Sequence, residues 1–596
     1  MRKLGAAALA ICVTASAQSA PSPAETLLDR ATLTALDDEL SGVAAKDHVS
    51  RLTQLHRVPA SPGFHEAIEY VKARATAIGL SDVQVETFPG DGNTWFGTLH
   101  GNRGWRVEGG TLDEVRPQPR RIVSYDDTRL AVADNSESAD VTVELVDVGR
   151  GTDRREYDGK DVRGKLVLCD ATPSACHRQA VEEHGAAGLI SYNSNQVSAW
   201  WRDDQDLIRW GHLDSRGRRN TFALMISVRE ARSLQQRLAS GERITLHAVV
   251  KARNDDSMPY ETLVATIPGT DLSSGDIVFS CHLDHEKPGA NDNASGCSTN
   301  LEIARALRVL IAAKRIPAPA RTIRFVWPSE MTGTIAYLSK YPAIASRIRA
   351  AVHLDMVGGD PFVTKSILHD VADNIEPTKL KRSAFIAAAS GYYLATMPDH
   401  GTSLLRLSYA NAYERLAEDG RRAAAIAAAG HGADAANIVA QALLREQRRL
   451  RSLSRFVDLD AAIHLGSETV ERFSSGLAEA AKGLLSLIPT SRADESRRPV
   501  GTDARVPQRN ADVKGPLAPN GEWVMEKAGA PAAAAAIARL PNSGDVTYEI
   551  VNFVDGVRTV REIRDAVSAE FEPIDLAAVA EYLDLLAKAG AITFRR

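Results

Sequence analysis

Between Asp38 and Gly90 the apolar residues Ala67, Val71, Ala75 and Ile78 recur at helical spacing, and Gly79 stands where such a helix stops. From about Val141 to Ala252 the pattern shortens to brief apolar runs punctuated by glycine. Leu166-Val167-Leu168 follows Gly164-Lys165, and Leu189-Ile190 follows Gly185-Ala186-Ala187-Gly188. These runs predict short strands with an intervening Ala/Glu helix. Strand and helix then alternate. Asp276–Ser280, Thr322–Trp327 and Arg349–Leu354 read as strands, while Leu301–Ala313 and the segment opening at Thr334–Ser339 read as helices. Leu301, Ala304, Leu307 and Leu310 form one stripe of the first of these helices. Short apolar strands separated by helices predict an α/β fold with a mostly parallel mixed sheet covered by helices. In such sheets chemistry collects at the carboxyl ends of the strands.

The remaining chain has two textures. Lys379 to about Leu487 is Ala/Leu/Arg-rich and helical. Ser491–Asn520 is polar, carries Pro499, Pro507, Pro516 and Pro519, and reads as a linker. Gly521–Arg596 reads as a small, mainly helical domain ending in a hairpin.

With 596 residues the chain exceeds one compact core, and ordinary domain sizes predict about three or four units. The formal charge of −5, from 71 basic and 76 acidic residues, gives no reason to expect nucleic acid or an anionic membrane as partner. Met1-Arg2-Lys3, an apolar run from Leu4 to Ala15, and Ala15-Ser16-Ala17 have the form of a secretory signal cut after Ala17. Export to the periplasm or the medium is therefore expected. No later apolar run is long enough to span a bilayer. Four cysteines follow the signal. Cys169–Cys176 and Cys281–Cys297 are the sequence-local choices among three pairings, with free thiols the alternative. None lies in a CxxC pair, which argues against a cysteine–zinc site.

Three predicted strand ends finish on metal-type ligands. The first is Cys281-His282-Leu283-Asp284, followed by Gly289-Ala290-Asn291-Asp292-Asn293-Ala294-Ser295-Gly296. The second is Trp327-Pro328-Ser329-Glu330, and the third is His353-Leu354-Asp355. A zinc hydrolase needs a neutral imidazole, several carboxylates and an open position for water. Asp292, in a turn leading into a helix, suits a carboxylate that bridges two ions. Asp284 is placed to accept the other imidazole N–H of His282 and fix its tautomer. A single histidine at a strand end is ordinarily structural, and Asp before Asn often caps a helix. The succession of His, Asp, Glu and Asp on consecutive strand ends makes those blander readings poor.

In these motifs the chain resembles the M28 family of zinc aminopeptidases, with its HxD, its GAxDNASG-type loop, a Glu-Glu pair and a later Asp. The resemblance implies a zinc exopeptidase-like domain over 38–140 and 253–487, and two zinc ions. His282 and Asp355 would hold one ion, Asp292 would bridge, and Glu330 would serve the second as ligand or act as general base. It also implies peptide substrates and zinc-activated water. Residues 141–252 resemble a protease-associated (PA) domain. In the region 521–596, after the linker 488–520, Asp555-Gly556-Val557-Arg558-Thr559-Val560 is similar to the opening of winged-helix-like or PqqD-like modules. Acidic residues outnumber basic ones from Thr547 onward, which disfavours DNA reading.

The chain departs from the family at two places. Ser329-Glu330 replaces the Glu pair, and a serine is no base near neutral pH without an activator. After Asp355 the family's long intervening stretch is absent. Ser366-Ile367-Leu368-His369-Asp370 follows shortly, with His369 at the family's spacing for a ligand and Asp370 in place of Thr. His285, His400 and His464 read as structural or surface residues. The expected activity is a metallo-aminopeptidase, with Glu330 and Asp284 catalytic and His282, Asp292, Glu330, Asp355 and His369 on metal. The alternative is an M28-like pseudoenzyme that binds peptides or proteins, and glutaminyl cyclisation has no distinguishing motif here.

Overall fold

The computed structural model describes residues 27–193, 205–214, 219–360, 370–397, 401–456, 466–488, 502–517 and 522–595. The signal segment, His369, His400 and His464 lie outside them. Three capped helices open the fold. In α1 (Arg30–Glu39) and α2 (Gly42–Leu52) the side chains of Asp29 and Ser41 accept the N–H groups of Thr32 and Ala44. In α3 (Pro62–Ile78) Ser61 caps Phe64, and Gly79 ends the helix with a φ of 79° that favours glycine. Strand β1 (Ser81–Phe88) and a small hairpin, β2 (Trp95–Phe96) and β3 (Leu99–His100), follow.

A second sheet is then inserted. Its strands are β4 (Trp105–Arg116), β5 (Arg120–Ser124), β6 (Ala139–Asp147), β7 (Leu166–Cys169), β8 (Gly188–Ser191), β9 (Ala223–Met225) and β10 (Thr245–Asn254), with helices α4 (Pro173–His177) and α5 (Val228–Ala239). The order is β5-β4-β10-β6-β7-β8-β9. The first pairs are antiparallel, whereas β6 to β9 run parallel. The inserted unit thus begins at Trp105, not at 141. β4 escapes a hydrophobicity pattern because Gly109 and Gly110 interrupt it, yet it pairs with β10 from Trp105–Asn254 to Arg116–Thr245. Cys169 and Cys176 are buried free thiols in this unit, so the local disulfide expected there is not formed.

The chain returns to the first sheet through β11 (Tyr260–Ile267), β12 (Asp276–Ser280), α6 (Gly296–Ala312), β13 (Thr322–Trp327), α7 (Thr332–Lys340), α8 (Pro342–Arg347), β14 (Ile348–His353) and α9 (Pro377–Thr396). The order is β1-β11-β13-β12-β14. β12 is parallel to β13 and β14, and β11 is antiparallel to β1 and β13. This is the mixed, helix-covered α/β sheet the strand pattern predicts. One face buries Phe279, Phe325 and Trp327 against α1–α3, α6 and α9, with Leu36, Val49, Phe64, Val71 and Tyr392 among the contributors. Full burial of each such side chain is worth about 1.5–3 kcal/mol. The other face packs Val326 and Tyr260 against Tyr337 of α7. α6 starts earlier than its apolar stripe. The Gly296 N–H reaches Asn293 Oδ1 at 2.9 Å, and a Cβ at Gly296 would lie 2.1 Å from the Leu354 carbonyl oxygen.

Beyond α9 the domain boundary also moves. α10 (Thr402–Ala428), α11 (Gly432–Ser452) and α12 (Gly466–Ser486) touch the sheet's core through Leu404, at the start of α10, but bury their apolar residues chiefly elsewhere. They make their own core, with Ala412, Leu416, Val439, Leu477 and Ala569. The region 253–487 therefore divides after α9. A last unit comprises β15 (Val506–Arg509), α13 (Glu522–Ala528), α14 (Ala530–Ile537), α15 (Ser543–Asn552), α16 (Val560–Glu570), α17 (Leu576–Lys588) and β16 (Ile592–Arg595). Two expectations fail here. Residues 506–509 pair antiparallel with β16, and Leu517 joins the unit's core, so this part of the expected linker is structural. The terminal strand finds this distant partner instead of a local hairpin. Pro507 tolerates the pairing because a two-stranded ribbon is all edge.

Candidate metal centre

Parallel pairing of β12 with β13 and β14 brings three carboxyl ends to one edge, where His282, Glu330 and Asp355 follow the strands. His282 is buried. Its Nδ1 lies 3.1 Å from the Asp284 carbonyl oxygen, an acceptor only, so this nitrogen carries a proton and Nε2 is the nitrogen left to face an ion. Nε2 stands 3.1 Å from Asp292 Oδ1 and 3.6 Å from Asp355 Oδ2. One ligand atom from each of His282, Asp292 and Asp355 lies within 4.8 Å of the others.

One imidazole and two carboxylates with room for water form a donor set that suits zinc or another borderline divalent ion. The electrostatics agree. Burial works against charge on His282, but hydrogen bonds to Asp284, Asp292 and Asp355 overcome it and push the imidazole up to about 12. A site that holds a proton so tightly is built for positive charge.

The glycine- and asparagine-rich loop explains itself through backbone bonds. Asn291 Oδ1 accepts the N–H groups of Gly358 and Gly359 at 2.9 and 2.6 Å. Asn293 Nδ2 donates to the Leu354 carbonyl at 2.9 Å, and Ser295 Oγ accepts from Val357 N at 3.0 Å. These side chains lace the Asp292 loop to the chain after β14, leaving Asp292 to face the cleft. The Cys281–Cys297 disulfide forms as expected and ties the end of β12 to the first turn of α6.

Two anchors carry no sequence signal of their own. Asp370, 2% exposed, accepts the N–H groups of Asn291 and, at 2.7 Å, Asp292. Burial raises its carboxyl to about 6, against the pull of those backbone bonds. Arg57 is fully buried. Its guanidinium donates to the carbonyls of Leu283 (2.9 Å), Leu52 (2.6 Å), Pro288 (3.2 Å) and Gly289 (2.8 Å). Its backbone exchanges hydrogen bonds with His285 in a two-residue bridge. One side chain thereby holds both limbs of the loop between His282 and Asp292. Burial lowers its guanidinium to about 10.

The other expected residues fall out as follows. The Asp284 carboxylate is 3.5 Å from His282 Nδ1, farther than its own carbonyl, and Oδ1 accepts the Glu330 N–H at 2.6 Å. Asp284 thus orients both His282 and Glu330. The Glu330 side chain lines the cleft outside the converging group of three. Its carboxyl is raised above the ordinary range, first by desolvation and then by Asp284, Asp292 and Asp355, with His282 pulling the other way. Ser329, where the family carries a glutamate, is 1% exposed and points inward, with Oγ unpartnered. His285 Nδ1 bonds the Glu286 carbonyl at 2.8 Å, and its Nε2 is 3.8 Å from Asp292 Oδ2. Among the described residues one group of three ligands converges, and the second ion's expected ligand His369 lies outside them.

The centre opens into a cleft of about 700 Å³, a size suited to small molecules and chain ends. Its walls come from the first sheet's loops, from Asp134 and Trp210 of the inserted unit, and from Glu522 of the last unit.

Residues 262–390 match the family described as Peptidase family M28. The chain is 24% identical over 340 residues to an aminopeptidase of Pseudomonas aeruginosa, in strains UCBPP-PA14 and PAO1 alike, covering 53% of this chain and 56% of the relative. The chain thus spans about half the length of the curated relatives it matches. Among solved structures it is similar to an aminopeptidase from Aneurinibacillus sp. strain AM-1, at 21% identity and a TM-score of 0.41 over 61% of this chain and 96% of that one. It is also similar to a peptidase M28 precursor from Shewanella amazonensis SB2B, at 14% identity and a TM-score of 0.46 over 63% of this chain and 98% of that one. The part of the chain similar to peptidase family M28, residues 262–390, thus includes His282, Asp292, Glu330 and Asp355.

Proposed function

We propose that this protein is an exported, zinc-dependent aminopeptidase that removes N-terminal residues from peptides. The observation that carries this reading is the convergence of His282 Nε2 with the carboxylates of Asp292 and Asp355 at three neighbouring strand ends. The M28 match over the same residues and the aminopeptidase relatives support it. Export rests on the signal-like segment Met1–Ala17.

A bound divalent ion supplies Lewis acidity and a nucleophilic water at neutral pH. The residues of this chain supply the rest. His282, Asp292 and Asp355 would hold the ion, with the Asp284 carbonyl fixing the imidazole tautomer. Asp284 also fixes the Glu330 backbone, which aims the Glu330 carboxylate from the cleft wall. The raised proton affinity of that carboxyl suits it to take a proton from water and return it to the departing amine. With Ser329 turned inward, Glu330 is the carboxylate of its motif available for this task.

The deciding experiment measures metal per chain on signal-free protein together with release of an aminoacyl fluorophore. Bound zinc with chelator-sensitive turnover is expected. Turnover that survives both chelation and Asp292→Ala would sink the proposal. Metal-free, inactive protein would leave a peptide-binding scaffold as the function.

A further inference from the structure

The exit from β13 holds a strained residue that the metal chemistry does not explain. Only four residues, Pro328–Met331, join the end of β13 at Trp327 to the start of α7 at Thr332. Pro328 and Ser329 are buried, whereas Glu330 and Met331 are exposed. Met331 has a φ of 47° and a ψ of −62°. Across it, the Thr332 N–H donates to the Glu330 carbonyl. A hydrogen bond between residues two apart, with positive φ between them, makes Glu330-Met331-Thr332 a γ-turn of the rare, strained kind.

Nothing in a methionine favours this conformation. Glycine adopts positive φ freely, and asparagine or aspartate tolerate it through a short polar side chain, but methionine has neither advantage. Side-chain packing does not impose it, because the Met331 side chain is exposed. The segments on either side impose it instead. Before the turn, Leu283 N–H donates to the Pro328 carbonyl at 2.8 Å, and Glu330 N–H to Asp284 Oδ1 at 2.6 Å. After it, Ile335 N–H donates to the Met331 carbonyl at 3.0 Å in the first turn of α7. That helical turn is pressed back onto the strand exit, since a Cβ at Gly333 would lie 2.8 Å from Ser329 Oγ and 2.9 Å from Pro328 Cβ. A reversal completed in three residues is what lets α7 return over Pro328 and Ser329 directly after Glu330.

The consequence falls on Glu330. Its N–H is held by Asp284, in the loop after β12, and its carbonyl by Thr332, the first residue of α7. Both of its peptide groups are therefore fixed, one of them through strain in the next residue. Its carboxylate alone is left to face the cleft. Strain kept at a residue with no packing role points to a need for position at its neighbour.

We propose that Met331 is a positioning residue for the reaction, its γ-turn holding the Glu330 carboxylate where it meets the attacking water. This rests on the reading of Glu330 as the proton carrier of an aminopeptidase. The backbone conformation does the positioning, and the methionine side chain takes no part in it.

The test uses metal-loaded full chain and the best substrate from a panel of aminoacyl-aminomethylcoumarins. Met331→Val installs a β-branched residue that resists positive φ. Thr332→Pro deletes the N–H that closes the turn, at the first position of a helix, where proline is tolerated. Each should lower kcat by about 30-fold or more, the scale of a misplacement of about 1 Å, with KM within about threefold and metal content unchanged. Met331→Gly takes the turn without strain, so it should keep kcat within about threefold of wild type and raise the melting temperature. Retained kcat in both the valine and the proline variant overturns the proposal. So does a loss in Met331→Gly equal to that in Met331→Val, which would assign the effect to the side chain. A fall in kcat that comes with lost metal overturns it as well, since the ligands and not Glu330 would then depend on the turn. Should the wild type cleave nothing in the panel, the aminopeptidase reading fails separately, and crystal structures of wild type and Thr332→Pro decide. A Glu330 carboxylate displaced by about 1 Å or more supports the positioning role, and an unmoved one overturns it.

Discussion

In the five-stranded sheet the parallel strands β12, β13 and β14 run out into His282, Glu330 and Asp355. In the seven-stranded sheet the parallel strands β6, β7, β8 and β9 run out into Asp147, Cys169, Ser191 and Met225. Both edges are of the kind that hosts ligands, yet the second is satisfied from within. Asp147 accepts from Gln235 Nε2 and from Gly149 N, Ser191 Oγ donates to the Ala171 carbonyl, and Cys169 and Met225 are fully buried. At the first edge the backbone is the satisfied part, through Arg57, Asp370 and the loop asparagines, and the side chains are left facing one another. A parallel edge gives a place for chemistry; spare donors and acceptors decide whether any occurs there.

Removing a ligand from the first edge should have the largest effect. Asp292→Ala is expected to lower kcat/KM by more than about 100-fold, beyond what loss of an outer partner costs, and to empty the centre as read by metal content. Retained zinc would show that the convergence of three ligands is not the site. Glu330→Gln should lower kcat by about 100-fold or more with metal still bound, separating the proton-carrying group from the metal-holding ones. Loss of zinc in that variant would make Glu330 a ligand instead.

Arg57→Met tests whether satisfied backbone is what frees the ligands. It leaves several buried carbonyls without donors, and each unmade bond costs about 1–3 kcal/mol. Stability should fall by about 3 kcal/mol in denaturant titration, with metal affinity falling too. Unchanged affinity would show that the loop holds its shape alone.

The pH dependence of metal binding sharpens the electrostatic side. The His282 imidazole is raised from 6.5 to about 12, so in the ion-free protein its contribution to stability is complete below 6.5 and is lost as pH rises through about 12. An ion must displace that proton, so zinc affinity should rise about tenfold per pH unit between 7 and 9 by competition titration. A flat profile would refute the proton's place in the site. The smallest effect belongs far from either edge. Asn437 Nδ2 donates to the Asp565 carbonyl at 2.7 Å, joining the helical region to the last unit. Asn437→Ala should cost about 1 kcal/mol and leave turnover alone.

The chemistry-bearing residues were legible because their types and order are unusual in so short a span: His282, Asp292, Glu330 and Asp355 all follow apolar runs that became strands or lead into helices. Their supports were not. Arg57 lies in Leu55-His56-Arg57-Val58-Pro59, where nothing in local spacing separates a buried clamp from a surface arginine. Asp370 stood out only as a substitution, though it anchors the loop. Boundaries failed where pairing is non-local. β4 has glycines in its middle, and β15 contains a proline, yet each is held by a strand far along the chain. Periodicity reports what a segment does with its neighbours in sequence, and these segments depend on neighbours in space.

The loop that carries Asp292 is closed from both ends of the domain, by Arg57 before it and Asp370 after it. Synthesis therefore delivers the parts out of step. When the loop leaves the ribosome its first clamp is already made, but the carboxylate that takes the N–H groups of Asn291 and Asp292 is still to be translated. A nascent chain stalled before Asp370 would carry every ligand of the group of three without the anchor that holds Asn291 and Asp292, so metal binding is expected to follow completion of this domain.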